Sequence, residues 1–148
     1  MSLTILKIIS TNPSYVPENI QQEKAKAFLV ELYKDKEVKF YTTDLTEFID
    51  QGENVDNVSC NLCGQEIEIE HWQNAMDEAF ERDFIDLDFI TLCCHKKTSL
   101  NDLIYKMTAG FAKFVMTITD AENEIEKKDT NNLEEILETK LKIIWGRY

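Results

Sequence analysis

A chain of 148 residues, 43% of them hydrophobic and with only 4 Gly and 2 Pro, suits one folded domain and excludes a disordered or low-complexity segment. Its 28 acidic side chains against 16 basic ones leave a net charge of −12, which repels phosphate backbones and argues against nucleic acid as the partner. No apolar run approaches the roughly 20 residues that span a bilayer, so no membrane role is expected.

The opening MSLTILKIIS has no basic lead and no small-residue cleavage site, so it reads as a first strand of a cytoplasmic protein. SLTILKIIS is almost continuously apolar and β-branched, as a central strand should be. In the loop TNPSYVPEN, Pro17 is placed to sit in the first turn of a helix, where its missing N–H is harmless. Along IQQEKAKAFLVELY the residues Ala25, Phe28, Leu29, Leu32 and Tyr33 recur at helical spacing and predict one buried stripe. VKFYTT sets Val38 and Phe40 against Lys39 and Tyr41, the alternation of a half-buried strand.

Residues 52–108 form an insert too rich in pattern to be a loop. NVSCNLCGQEIEI predicts a strand, a tight turn at Gly64 and a second strand. EHWQNAMDEAFERDF predicts a helix with Ile69, Trp72, Met76, Ala79 and Phe80 on one face. IDLDFITLCC alternates Ile85, Leu87 and Phe89 against Asp86 and Asp88, a strand with one acidic face. TSLNDLIYKM begins with Ser99 and has Asp102 three residues on, a helix-start signal.

The far end repeats the opening plan. GFAKFVMTIT predicts a strand over 110–119, and DAENEIEKKDTNN a polar connector. LEEILETK predicts a helix capped by Asn131, with Leu133, Ile136 and Leu137 inward; LKIIWGRY then reads as a last strand. Trp72 and Trp145 sit within apolar patterns and are expected to anchor the core. Two β-α-β halves predict a single α+β domain, a ferredoxin-like β-α-β/β-α-β sandwich with a zinc-ribbon-like insert between the halves. Its first strand and the 110–119 strand would form the central pair.

Four cysteines, Cys60, Cys63, Cys93 and Cys94, stand as C-x2-C and, after 29 intervening residues, C-C. In a cytosolic chain such pairs point to a metal before a disulfide, and four soft sulfurs suit a tetrahedral structural zinc. The first pair, followed by Gly64, is a good knuckle. The second is irregular, because Thr91 stands where the first cysteine of a second knuckle would fall. Neighbours on a strand point to opposite faces, so Cys93 and Cys94 reach one ion only if the strand turns there, as HKKTS allows. His95 or His71 is the alternative fourth ligand. Four buried thiols or a CNLC redox pair are the competing readings, the latter lacking a helix start or a cation beside it.

Other chemistry is poorly supported. H-E-x-x-H, G-x-G-x-x-G, Walker and G-x-S-x-G patterns are all absent. Acids crowd Glu66 to Asp88, opposed in sequence only by Arg82. That run is either a solvated face or a docking surface for a basic protein.

Residues Cys60, Cys63, Gly64, Trp72, Gln73, Ala75, Met76, Asp77, Cys93, Cys94, Ser99–Leu103 and Ala109–Phe114 carry a resemblance to a group of small bacterial proteins of unknown function. That group shares a C-x-x-C-G knuckle, W-Q-x-A-M-D, a Cys-Cys pair, S-L-N-D-L and A-G-F-A-x-F. This chain departs from it at His95, where the group has glycine, which leaves room for a histidine ligand. The resemblance implies the fold and the metal but no activity. The expected role is a non-enzymatic, zinc-stabilised protein-binding module, such as an acidic inhibitor or immunity-type protein of a basic toxin or nuclease. The alternative is a metal-dependent enzyme with an open zinc site on Cys60, Cys63 and Cys94.

Overall fold

The most apolar segment of the chain becomes a strand with neighbours on both edges. The computed structural model describes residues 3–50, 52 and 55–147; Ser2 and Tyr148, expected in the first and last strands, and Glu53 and Asn54, expected in the insert, lie outside them. In chain order come β1 (Thr4–Ser10), α1 (Asn19–Leu32) and β2 (Glu37–Ile49). The insert follows as β3 (Val58–Ser59), β4 (Glu66–Ile67), α2 (Ile69–Glu81), β5 (Asp88–Ile90), β6 (Lys97–Ser99) and β7 (Ile104–Tyr105). Last are β8 (Gly110–Thr119), α3 (Lys127–Leu137) and β9 (Leu141–Arg147). Among the described residues the fold is thus mixed α+β, with three helices and antiparallel sheets.

The main sheet has the order β2-β8-β1-β9, every pair antiparallel, and Ile8 faces Met116 on one side and Ile143 on the other. Alternation along the strands sends Leu6, Ile8, Phe114, Met116 and Ile118 into one core with Ala25 and Leu29 of α1 and Leu133 and Leu137 of α3. Trp145 packs at its margin. A smaller cluster of Ile9, Ile49, Ala112, Val115 and Ile144 is separate. Among the described residues, no helix is long and apolar enough to cross a membrane.

Several local expectations are corrected. Helix α1 begins after Glu18, whose N–H donates to Gln21 Oε1 at 2.8 Å, so Pro17 precedes the helix and does not enter it. Of that stripe Ala25 and Leu29 are buried and Phe28 and Tyr33 pack half-buried against the same core, whereas Leu32 is exposed. Helix α3 starts at Lys127, taking in half of the polar connector, and Asn131 lies inside it, not at its cap. Strand β2 runs past Thr43 to Ile49; it advances from Thr42 to Glu47 while β8 moves only from Phe114 to Ala112, so a bulge opens between.

In the insert, Trp72, Met76 and Ala79 of α2 are buried, but Ile69 and Phe80 are exposed. Ile85 stands in solvent, since the chain turns after α2 and β5 begins only at Asp88. SLNDL forms no helix. Ser99 Oγ accepts the Asn101 N–H at 3.2 Å, closing a turn between β6 and β7 that buries Leu100 and Leu103.

That turn joins the insert to the sheet. Asn101 is buried; its Nδ2 donates to the Thr11 carbonyl at 2.9 Å and its Oδ1 accepts the Phe111 N–H at 3.1 Å. Lys142 Nζ of β9 donates to the carbonyls of Asn101 at 3.1 Å and Ala109 at 3.2 Å. Burial pushes the Lys142 pKa down, against the pull of Asp102. Gly110 makes room for this clasp, because a Cβ there would stand 2.9 Å from Ile9 and 3.1 Å from Lys142 Nζ. Beside it, Phe111 and Phe48 from the sheet stack at 5.1 Å and share a core with Trp72, Tyr105, Leu100 and Phe89 of the insert.

Asn101→Ala leaves the buried Phe111 N–H and Thr11 carbonyl without partners. It is expected to destabilise the chain by about 2–3 kcal/mol in urea unfolding. Phe111→Ala is expected to cost about 3–5 kcal/mol by the same measurement.

Candidate metal centre

Two hairpins of the insert end in turns of the same build. Ser59 pairs with Glu66 and Ile90 with Lys97, so six residues, 60–65 and 91–96, bridge each pair. Each turn is closed by one backbone bond between its ends, Cys60 N–H to the Gln65 carbonyl at 2.8 Å and Thr91 N–H to the Lys96 carbonyl at 3.1 Å. Each has a residue in the left-handed region at its fifth place, Gly64 at φ +81° and His95 at φ +54°. Glycine meets that requirement without strain, and histidine tolerates it better than branched residues do. Superposing the turns by position matches Cys60 with Thr91, Cys63 with Cys94, and Leu62 with Cys93.

The turns face one another and bring all four sulfurs together, each within 4.8 Å of the others. Cys60 Sγ lies 3.9 Å from Cys94 Sγ, and Cys63 Sγ 3.2 Å from Cys93 Sγ. Strand β5 ends at Ile90, so Cys93 and Cys94 lie on a turn and are free of the opposite-face rule that governs strand neighbours. Cys60 is buried among apolar side chains, Cys63 is exposed, and Cys93 and Cys94 are half-buried. A tetrahedral ion with sulfurs about 2.3 Å away sets sulfur–sulfur edges of about 3.8 Å. The Cys60–Cys94 edge meets that distance, while Cys63 and Cys93 would part by about half an ångström.

Thr91 fills the place of the missing first cysteine of the second knuckle. It is fully buried; its Oγ1 lies 3.1 Å from Cys94 Sγ and accepts the Lys96 N–H at 3.3 Å. Thr91 therefore backs the Cys94 sulfur, the position from which a hydroxyl would steady that sulfur on a metal ion. Neither histidine joins the group among the described residues. His71 Nε2 lies 3.3 Å from the Ile90 carbonyl oxygen, and its ring stacks on Phe89 at 4.9 Å. His95 is exposed on the outside of its turn.

The thiols differ in acidity. Burial works against ionisation of Cys60, but the N–H groups of Cys63 and Leu62 and the sulfurs of Cys63 and Cys93 outweigh it and bring the pKa down to about 6. The Gln65 N–H favours a Cys63 thiolate, yet Cys93, desolvation and the sulfurs of Cys60 and Cys94 push that thiol up to about 12. One negative charge settles on Cys60 and resists a second beside it. A divalent cation would remove that resistance, and this donor set of four soft, crowded sulfurs suits one.

No family model matches the chain, and no curated protein or solved structure matches it either.

Cys60→Ser is expected to lower the melting temperature sharply and unfold the insert, on the scale of the roughly 10 kcal/mol apparent worth of a structural zinc. Glu81→Ala, a solvent-facing change, is expected to do little; equal melting temperatures for the two variants would refute a metal at Cys60. Protons and metal compete for the same sulfurs, so loading apo-protein releases protons and affinity falls as the pH drops toward 6, where Cys60 itself becomes protonated. Titration with a competing chelator at several pH values reads that trend.

Proposed function

We propose that the chain is a non-enzymatic protein-binding module, ferredoxin-like in its two β-α-β halves, whose zinc-ribbon-like insert is stapled by one structural zinc ion. Its role is that of an acidic inhibitor or immunity-type protein acting on a basic partner in the cytoplasm. The observation that carries this reading is the cluster of four sulfurs within 4.8 Å. Four thiolates fill a tetrahedron and leave no position for water or substrate, so the ion holds structure and does no chemistry. The strand order β2-β8-β1-β9 supports the ferredoxin-like reading, and the two matched turns support the zinc-ribbon one. Unpaired cysteines fit a reducing compartment, and a net charge of −12 fits a basic partner. The resemblance to small bacterial proteins with the same knuckle and Cys-Cys pair agrees with the metal and is silent on activity.

One observation favours the alternative, an open site on Cys60, Cys63 and Cys94. Cys93 stands where the first turn has Leu62, and its 3.2 Å approach to Cys63 is shorter than a tetrahedral edge. Cobalt substitution separates the two, because four thiolates and three thiolates plus water absorb differently. Protein purified without chelator is expected to carry one zinc per chain and, after exchange, a four-thiolate cobalt spectrum. Stoichiometric zinc with a three-thiolate spectrum would favour the enzyme, and protein free of metal with all four thiols reactive would sink both.

A further inference from the structure

The bulge of β2 and the helix α2 leave between them a groove of about 710 Å3. Its apolar surface comes from Leu45, Phe48, Met76, Phe80 and Phe84. A second hollow of about 400 Å3 shares Leu45 and Phe84 with it and reaches Ile85 and Leu87. Phe80 is 69% exposed, Ile85 82% and Leu45 51%, so three large apolar side chains stand in water around one depression. Such grouping marks contact surfaces, whereas single exposed residues mean little.

The backbone also departs from ordinary geometry here. Asp83 and Phe84 hold φ of +57° and +54° in succession, a conformation that costs a bulky residue about 1–3 kcal/mol. The kink turns Phe84 inward onto Phe111 at 5.2 Å and leaves Phe80 and Ile85 facing out. Opposite, the β2 bulge lifts Leu45 out of the sheet, held by Thr43 Oγ1 donating to the Leu45 carbonyl at 2.7 Å.

The charge of the groove selects its occupant. Asp44, Glu47, Asp77 and Asp83 line the larger groove and no basic residue does, Lys113 lining only the adjoining hollow, and none of these four acids is in an ion pair among the described residues. A second copy of a chain with net charge −12 would bring like charge to an acidic groove, and a nucleic acid would bring phosphates. We propose that this groove docks a basic amphipathic segment of a partner protein, whose apolar side chains enter between Leu45 and Phe80 while its lysines or arginines meet the four carboxylates. The proposal rests on the protein-binding reading above and names its surface.

Selection of a displayed library of random peptides on the zinc-loaded protein tests it, followed by solution affinities of the enriched peptides for the wild type and for three folded variants. Leu45→Ser and Phe80→Ser remove exposed apolar side chains of the groove, and Ile20→Ser removes one on α1, away from it. The expected result is enrichment of basic amphipathic sequences. Their affinity should fall roughly tenfold or more in Leu45→Ser and Phe80→Ser, change less than about twofold in Ile20→Ser, and weaken as salt is raised. Peptides that bind the groove variants as tightly as wild type would overturn the groove and leave the protein-binding reading standing. Enrichment of acidic or uncharged sequences, or self-association that Phe80→Ser abolishes, would overturn the proposed partner. Failure to enrich any peptide would overturn both.

Discussion

Strands of two or three residues cannot hold a sheet together by hydrogen bonding alone, and every strand of the insert is that short. The insert depends instead on two constraints that act from opposite sides. Toward the main sheet, Phe48 meets Trp72, Tyr105 and Phe111 in one core, and Asn101 of the insert satisfies two backbone groups outside it, the Thr11 carbonyl and the Phe111 N–H. Away from it, two matched turns meet at four sulfurs, and Cys60, wholly buried, belongs at once to the sulfur cluster and to the aromatic core. Loosening either side would expose the other.

The asymmetry between the turns gives the sulfur cluster its character. A second copy of C-x-x-C would have supplied two sulfurs from equivalent places. Here the first place is taken by Thr91, whose hydroxyl backs Cys94, and the fourth sulfur comes from the middle of the turn at Cys93. The buried edge, Cys60 with Cys94, is spaced as a tetrahedral ion requires, whereas the outer edge, Cys63 with Cys93, is compressed. The two edges thus differ in both solvation and spacing, which is why the choice between a closed and an open site turns on Cys93.

How much of this was legible beforehand follows from the physics of each segment. The strand over 110–119 was readable to the residue because both its faces are largely covered, so buried apolar side chains run along it with only Lys113, Thr117 and Thr119 between them. The knuckle at Cys60–Gly64 was readable because spacing and a glycine encode a turn locally. SLNDL misled, since Ser99 two residues before a buried Asn101 closes a turn with the same hydroxyl that would cap a helix, and only tertiary burial decides between them. Ile85 and Phe80 misled in the opposite way. Their spacing matches buried neighbours, but α2 buries Trp72, Met76 and Ala79 and leaves Phe80 exposed, and past the left-handed pair at Asp83 and Phe84, which no glycine announced, Ile85 stands in solvent. The acidic groove was half legible: Asp77 and Asp83 belong to the acidic run that pointed to a basic partner, but Asp44, Leu45 and Glu47 join them from the β2 bulge, more than twenty residues of chain away from α2.

The clasp of Lys142 on the carbonyls of Asn101 and Ala109 sets an order on assembly during synthesis. β1 is made before the insert, yet both its partners, β8 and β9, are made after it. Until they arrive, an apolar strand and an insert whose core lacks Phe111 must wait in the nascent chain, where chaperones find such surfaces. Closure of the sheet and seating of the insert are therefore one late event, governed by the arrival of the final strand.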